Sequence, residues 1–286
     1  MNTTELISAL KIKGSFPTSD NLFSTSDYLV LFNMQMELEI FPLMLTLSEE
    51  YFVLSKDFTI SVGTLYRVPS RAIGAKFRDI QYIDSGSNVI HLDRLFEEDR
   101  DTNPRGFYLS KNSIELSNDL IGNTLRVKYF GRPNKLVATT EAGQITSIDS
   151  TTQVTVSALP TTMTTSVLCD FVQNKSPFDL LDYDAAITGV SGSSVSFASL
   201  PSGLAVGDWV CLAEESPVPM FPKELHPVLV QSALVAALSA KKDKALTYEA
   251  ELLERNKKDA IKMLDPRVEN NSVKFRSGRL LNYITS

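Results

Sequence analysis

Between Ile145 and Pro201 the chain spells out one pattern twice. Ile145-Thr-Ser-Ile-Asp-Ser-Thr-Thr-Gln-Val-Thr-Val-Ser-Ala-Leu-Pro160 aligns with Ile187-Thr-Gly-Val-Ser-Gly-Ser-Ser-Val-Ser-Phe-Ala-Ser-Leu-Pro201, with offsets of 42 at the isoleucines and 41 at the prolines. In both copies apolar and hydroxyl residues alternate, as they do on a strand with one buried face. Leu-Pro follows, and then a second apolar run, Val167 to Val172 or Trp209 to Ala213. A lone hairpin is marginal in water, whereas two can close on each other. The repeat therefore predicts an internally duplicated all-β module, a small barrel or a sandwich. Cys169 and Cys211 are also 42 apart. With no CxxC and no nearby histidine to complete a zinc site, they are expected to be small buried strand residues, kept as thiols.

Charge marks the limits of this module. Residues 139–219 have Lys175 as their only cation and a net charge of −8, whereas residues 65–138 carry +3, residues 220–286 carry +4 and residues 1–64 carry −5. The same stretch turns rich in Ser, Thr, Gly and Val. We expect an α+β protein in which residues 1–138 and 220–266 form a helix-rich core with β segments, a helical bundle or hairpin. Residues 139–219 would be inserted into it, and 267–286 would trail as an extended C-terminal arm. At 286 residues the chain is long enough for a sizeable core.

Helices are expected on both sides of the insert. Ser26 and Asp27 are capping residue types ahead of Tyr28 to Leu47, a run dense in Leu, Phe and Met that Pro42 should kink or divide. Val228 to Leu238 is apolar on nearly every face and needs cover on all sides, from its own fold or from a neighbour. After Lys241 to Lys244, the segment Leu246 to Leu264 mixes Glu with Lys and Arg at helical spacing, which predicts an antiparallel helical hairpin ended by Asp265-Pro266. Val228 to Leu238 falls well short of the roughly 20 residues needed to cross a bilayer, and no signal-peptide pattern opens the chain, so neither membrane insertion nor export is expected.

One basic segment stands out in a chain of net charge −6. Leu65 to Ile83 sets Arg67, Arg71, Lys76 and Arg78 around Pro69 and Gly74, which hold the cations on a shaped element rather than on a loose arm. Such a segment suits docking to a large partner; the plain alternative is a solvated turn and helix start. A second basic stretch closes the chain, where Lys274, Arg276 and Arg279 precede Leu280, Leu281, Tyr283 and Ile284. That order fits an arm with a basic approach and an apolar anchor that adds to a partner's sheet edge or groove. A strand packed on its own domain would read the same way.

Catalytic patterns are missing from the sequence. GxSxG, P-loop, HExxH and GxGxxG do not occur, and His226 sits at a helix start where a structural role is expected. The acidic groups Glu97, Glu98, Asp99 and Asp101, and Asp179, Asp182 and Asp184, match no EF-hand and read as solvated loops. Neither an enzyme nor a cofactor is indicated.

Several segments together resemble the head-to-tail adaptor proteins, also called connectors or ring proteins, of short-tailed bacteriophages, including the crAss-like phages. They are Leu65-Tyr-Arg-Val-Pro-Ser-Arg-Ala-Ile-Gly-Ala-Lys-Phe-Arg-Asp-Ile, Leu92-Asp-Arg-Leu-Phe-Glu-Glu-Asp, Gly106-Phe-Tyr-Leu, Leu125-Arg-Val-Lys-Tyr-Phe-Gly-Arg-Pro, Gly207-Asp-Trp-Val, Phe221-Pro-Lys-Glu-Leu-His-Pro and Asp265-Pro-Arg-Val. The resemblance implies a structural virion protein at the portal vertex, assembled in the host cytoplasm. It would form a homo-oligomeric ring, commonly a dodecamer, beneath the portal, meet other tail or ring proteins, and let DNA pass without specific binding. In that setting Arg67, Arg71, Lys76 and Arg78 would contact a neighbouring subunit or the portal, and Arg276, Arg279, Leu280, Leu281 and Tyr283 would fix the arm. The Ser/Thr-rich module also allows a tail-associated carbohydrate-binding protein, and the basic C-terminal region a DNA-binding packaging factor.

Overall fold

The computed structural model describes residues 1–16, 23–61, 64–96, 98, 106–117 and 123–264. The arm, with Arg276, Arg279, Leu280, Leu281 and Tyr283, lies outside the described residues, as do Glu97, Asp99 and Asp101.

The chain opens with α1 (Thr3–Lys13) and α2 (Thr25–Gln35), continues through a π-helical turn (Met36–Ile40) and reaches α3 (Phe41–Leu47). Strands follow: β1 (Val53–Thr59), β2 (Leu65–Arg67), β3 (Ala72–Ile83), β4 (Val89–His91), β5 (Phe107–Ser110), β6 (Ser113–Leu116), β7 (Thr124–Gly131) and β8 (Lys135–Leu136). A second group comprises β9 (Gly143–Ile148), β10 (Gln153–Val156), β11 (Leu168–Val172), β12 (Leu180–Ser191), β13 (Ser194–Phe197), β14 (Trp209–Leu212) and β15 (Glu215–Ser216). Helices α4 (His226–Lys241) and α5 (Leu246–Leu264) come last. The protein is thus mixed α+β.

The β10-β13-β12-β11-β14-β9 strands close into a six-stranded barrel whose neighbouring pairs are all antiparallel. Exchanging β9 with β12, β10 with β13 and β11 with β14 leaves this cyclic order unchanged. Ile145 and Ile187, Val154 and Val195, and Val156 and Phe197, which occupy matching places in the two sequence copies, all enter the same interior cluster. The alternation in sequence thus becomes an inside and an outside.

The expectation of a helix-rich stretch up to residue 138 needs correcting. Among the described residues up to 138, helix ends at Leu47 except for short 3-10 turns, and β1, β7, β3 and β4 form a four-stranded antiparallel sheet beside a three-stranded β2-β6-β5 sheet. Mixed charge had suggested helix, but Thr124-Leu-Arg-Val-Lys-Tyr alternates at period two: Leu125, Val127 and Tyr129 are buried, and Arg126 and Lys128 take the other face. The basic segment likewise contains no helix start. It is β2, a turn in which the Ala72 N–H donates to the Pro69 carbonyl at 2.9 Å, and β3, whose register against β7 slips between Ala72 and Phe77. Gly74, at φ +54°, supplies the left-handed residue of this bulge.

The helices pack on one another around a separate core. Ten of the sixteen residues of α4 are buried, and α1, α2 and α5 all pack against it. An all-apolar helix is thus covered largely within its own chain. Lys242 ends α4 in the left-handed conformation, φ +54°, and α5 folds back along it. At the other end of the chain Ser24, two residues before the expected start, caps α2: its hydroxyl accepts from the Asp27 N–H, and the Asp27 carboxylate accepts from the Ser24 N–H. Pro42 does not end the helix, but the α-helical pattern is interrupted just before it by the π-helical turn. The proline sits in the first turn of α3, where its missing N–H costs little, and the wider turn before it bonds the Phe41 N–H to the Met36 carbonyl. Residues Thr25–Leu47 thereby make one continuous rod.

Candidate functional site

Of the four cations in the basic segment, Arg71 is not at the surface. It is 3% exposed, at the start of β3 where the sheet meets the barrel. Its Nη2 donates to Asp170 Oδ1 at 2.6 Å and to Asp184 Oδ1 at 3.0 Å, and its Nη1 donates to Asn134 Oδ1 at 3.0 Å. Asp170, on β11, also accepts from Asn134 Nδ2 at 2.6 Å and from the backbone N–H groups of Glu214 and Asp184 at 3.0 and 3.2 Å. Burial works against the guanidinium charge, but Asp170 and Asp184 outweigh it and hold the Arg71 pKa above its ordinary value. The Tyr183 ring lies 5.4 Å from the guanidinium carbon. Arg71 is therefore an internal clamp between sheet and barrel, and the docking role expected for it is corrected. One signal in sequence pointed this way: Asp170 is a lone acid inside the apolar run Leu-Cys-Asp-Phe-Val, and a charge in that position must be paired.

The other three cations do reach the surface. Arg78 forks onto Glu49 at 2.8 Å and Glu50 at 2.5 Å, tying β3 to the turn after α3. Lys76 Nζ stands 4.4 Å from the centre of the Phe130 ring. Arg67 is exposed at the end of β2. The segment thus spends two of its four charges in ion pairs within its own chain and sets a third over one of its own aromatic rings.

The predicted acidic group on the barrel also separates, because Asp184 turns to Arg71 while Asp182 accepts from the Tyr183 N–H. Among the described residues no three His, Cys, Asp or Glu side chains converge as a metal site would require. Cys169 and Cys211 are free and buried on the paired strands β11 and β14, and burial pushes the Cys169 thiol up to about 12. His226 is buried against Phe178 and Phe221, and burial drives its imidazole down to about 4. A cleft of about 420 Å³ lies where helices, sheet and barrel meet, walled by Phe52, Leu54, Pro133, Phe178, Leu181 and Met220. Asp179 stands at this cleft, with its carboxyl pushed up by burial.

Among the described residues the helical rod Thr25–Leu47 carries an exposed apolar stripe. Tyr28, Phe32, Met36, Ile40 and Met44 face the core, but Val30, Met34 and Leu38, at 56%, 49% and 66% exposure, repeat every four residues on the opposite side. By length and composition the rod is apolar enough to cross a bilayer, and only 22% of its most apolar window is buried. The sequence shows Tyr28 to Leu47 as a run dense in Leu, Phe and Met, but its composition assigns the need for cover to Val228 to Leu238 instead. Helix α4 is covered and the rod is half bare.

No protein-family model matches the chain, and no curated protein matches it.

Proposed function

We propose that this chain is a structural ring subunit of a bacteriophage head-to-tail connector, seated beneath the portal and lengthening the DNA channel. The observation that carries the reading is the rod Thr25–Leu47, whose outward apolar stripe the described residues leave bare. A contiguous apolar stripe on an element anchored by its other face is an interaction surface. The fold fits this reading as a helical bundle core carrying a duplicated barrel, with the two halves of the barrel related by the strand exchange described above. The chemistry fits as well, since Arg71, Asp170 and His226 serve structural contacts. Net negative charge suits a wall past which DNA slides, because a basic lining would hold phosphate tightly. Arg67 and Lys76 remain candidates for the portal-facing contact, together with the arm residues.

Mass photometry and negative-stain imaging of the full chain, alone and mixed with the portal protein from the same genome, test this. Closed rings seated on the portal are the expected result. A monomer at every concentration, with or without portal, overturns the assignment.

A further inference from the structure

We infer that the bare stripe of the rod in one subunit is covered by the C-terminal half of α5 in the next copy of the same chain. The inference rests on the ring reading and says which surfaces meet.

Charge selects the occupant. From Gly14 to Ser55 the sequence has no Lys or Arg; Asp27 caps α2 and Glu39, Glu49 and Glu50 pair with cations of the same chain, whereas Glu37 is exposed beside Met34 and Leu38 on the rod. Any surface that covers the stripe must therefore bring apolar side chains flanked by cations. The second half of α5 has that composition on its exposed side: Arg255, Lys258 and Lys262 against Asp259 alone, with Met263 left 72% exposed. Arg255, Asp259 and Lys262 recur at helical spacing on its outward side, while Leu253 and Ala260 face the core. The chain already makes one such contact internally, where Lys257 of α5 bonds to Glu39 of the rod. Between copies the same chemistry would be repeated by the outward faces of both elements.

Two different patches on one molecule make a head-to-tail contact, which closes into a ring or runs on as a filament. Three apolar side chains and their charges form a small patch beside the roughly 800 Å² per partner of a standard stable interface. Free subunits should therefore meet weakly, with the contact reinforced when many copies are held in a circle.

Cysteine cross-linking of the full chain tests this, because Cys169 and Cys211 are buried and leave the surface clear. Chains carrying Met34→Cys and Met263→Cys are mixed under mild oxidation. The covalent dimer should exceed by several-fold that from either variant alone, and that from Met34→Cys mixed with a barrel-surface control, Thr188→Cys. Its yield should fall when salt is raised or when Glu37→Lys is added. A yield no higher than the control, or a predominance of Met34→Cys homodimers, overturns the assignment. So does co-flotation of the wild-type protein with neutral phosphatidylcholine vesicles that Met34→Asp abolishes, since the stripe's occupant would then be a bilayer. The two readings fail separately: rings without the mixed cross-link sink only this contact, whereas the cross-link accompanied by open filaments alone sinks the ring.

Discussion

The barrel and the helical layer are both built on apolar side chains, but they finish their margins differently. In the barrel every strand has a hydrogen-bonded neighbour on each side, and matching residues from the two sequence copies fill one interior. Closure removes the edges at which another chain could pair. The helical layer fills its own core equally well, burying Leu6, Phe32, Ile40, Leu229 and Ala233, yet it leaves Val30, Met34 and Leu38 aligned in the open. The barrel leaves Ile148, Leu168, Val190 and Val206 in contact with water but no strand edge unpaired, whereas the rod sets three exposed apolar side chains in line on one face. Stability and assembly should therefore be separable, with the junction between barrel and sheet governing the first and the rod governing the second.

The largest expected effect sits at that junction. Arg71→Met would leave Asp170 buried with its main counter-charge gone, a class of change that costs about 3 to 5 kcal/mol. Arg78→Met removes an exposed fork onto Glu49 and Glu50 and should cost about 1 kcal/mol or less. Urea midpoints of the two variants, seven positions apart on the same basic segment, check the contrast. Equal losses would mean that Arg71 does not clamp the barrel to the sheet.

Acid should act on the helical side of the molecule next. Burial lowers the His226 pKa from 6.5 to about 4, so between those values the unfolded chain takes up a proton that the folded chain refuses. Its contribution to stability is intact above pH 6.5, declines as the pH falls and is lost in full below about pH 4, a drop of about 3 kcal/mol. His226→Gln keeps a polar side chain at the site but cannot titrate there. Its unfolding free energy, followed by urea titration from pH 7 to pH 4.5, should fall less steeply than that of the wild type. Parallel slopes would remove His226 from the account.

The same contrast explains which parts of the molecule could be read from sequence. The barrel's interior was legible because period-two alternation is a local signal: Ile145, Val154, Ile187 and Val195 announce their own facing. The helical hairpin was legible for a similar reason, since Leu246 to Leu264 shows its polar and apolar sides at helical spacing. Arg71 was misassigned because its partners Asp170 and Asp184 lie 99 and 113 residues away, and nothing near an arginine in sequence says which acids will surround it. The sheet β1-β7-β3-β4 was hidden by charge, as Arg126 and Lys128 on its outer face gave the segment a helical composition. The rod was overlooked because composition cannot tell a covered apolar helix from a bare one: α4 and α2 look alike until their neighbours are placed.

The smallest effect on stability is the most useful in deciding between the two regions. Replacing Val30, Met34 and Leu38 with serine removes apolar groups that already touch water, so each change should shift the unfolding free energy by about 0.5 kcal/mol or less. In Phe32→Ala, two residues from Val30 and Met34 but fully buried on the opposite face, the same measurement should report a loss of about 3 to 5 kcal/mol from the cavity alone. Thermal or urea unfolding of the triple serine variant, read beside its particle mass by mass photometry, gives both quantities on one sample. An unchanged midpoint with lost assembly would place the stripe outside the fold's own needs and inside those of a neighbour. A collapsed midpoint would mean that the rod's outer face is stabilised within the chain, and the difference between the barrel and the helical layer would disappear.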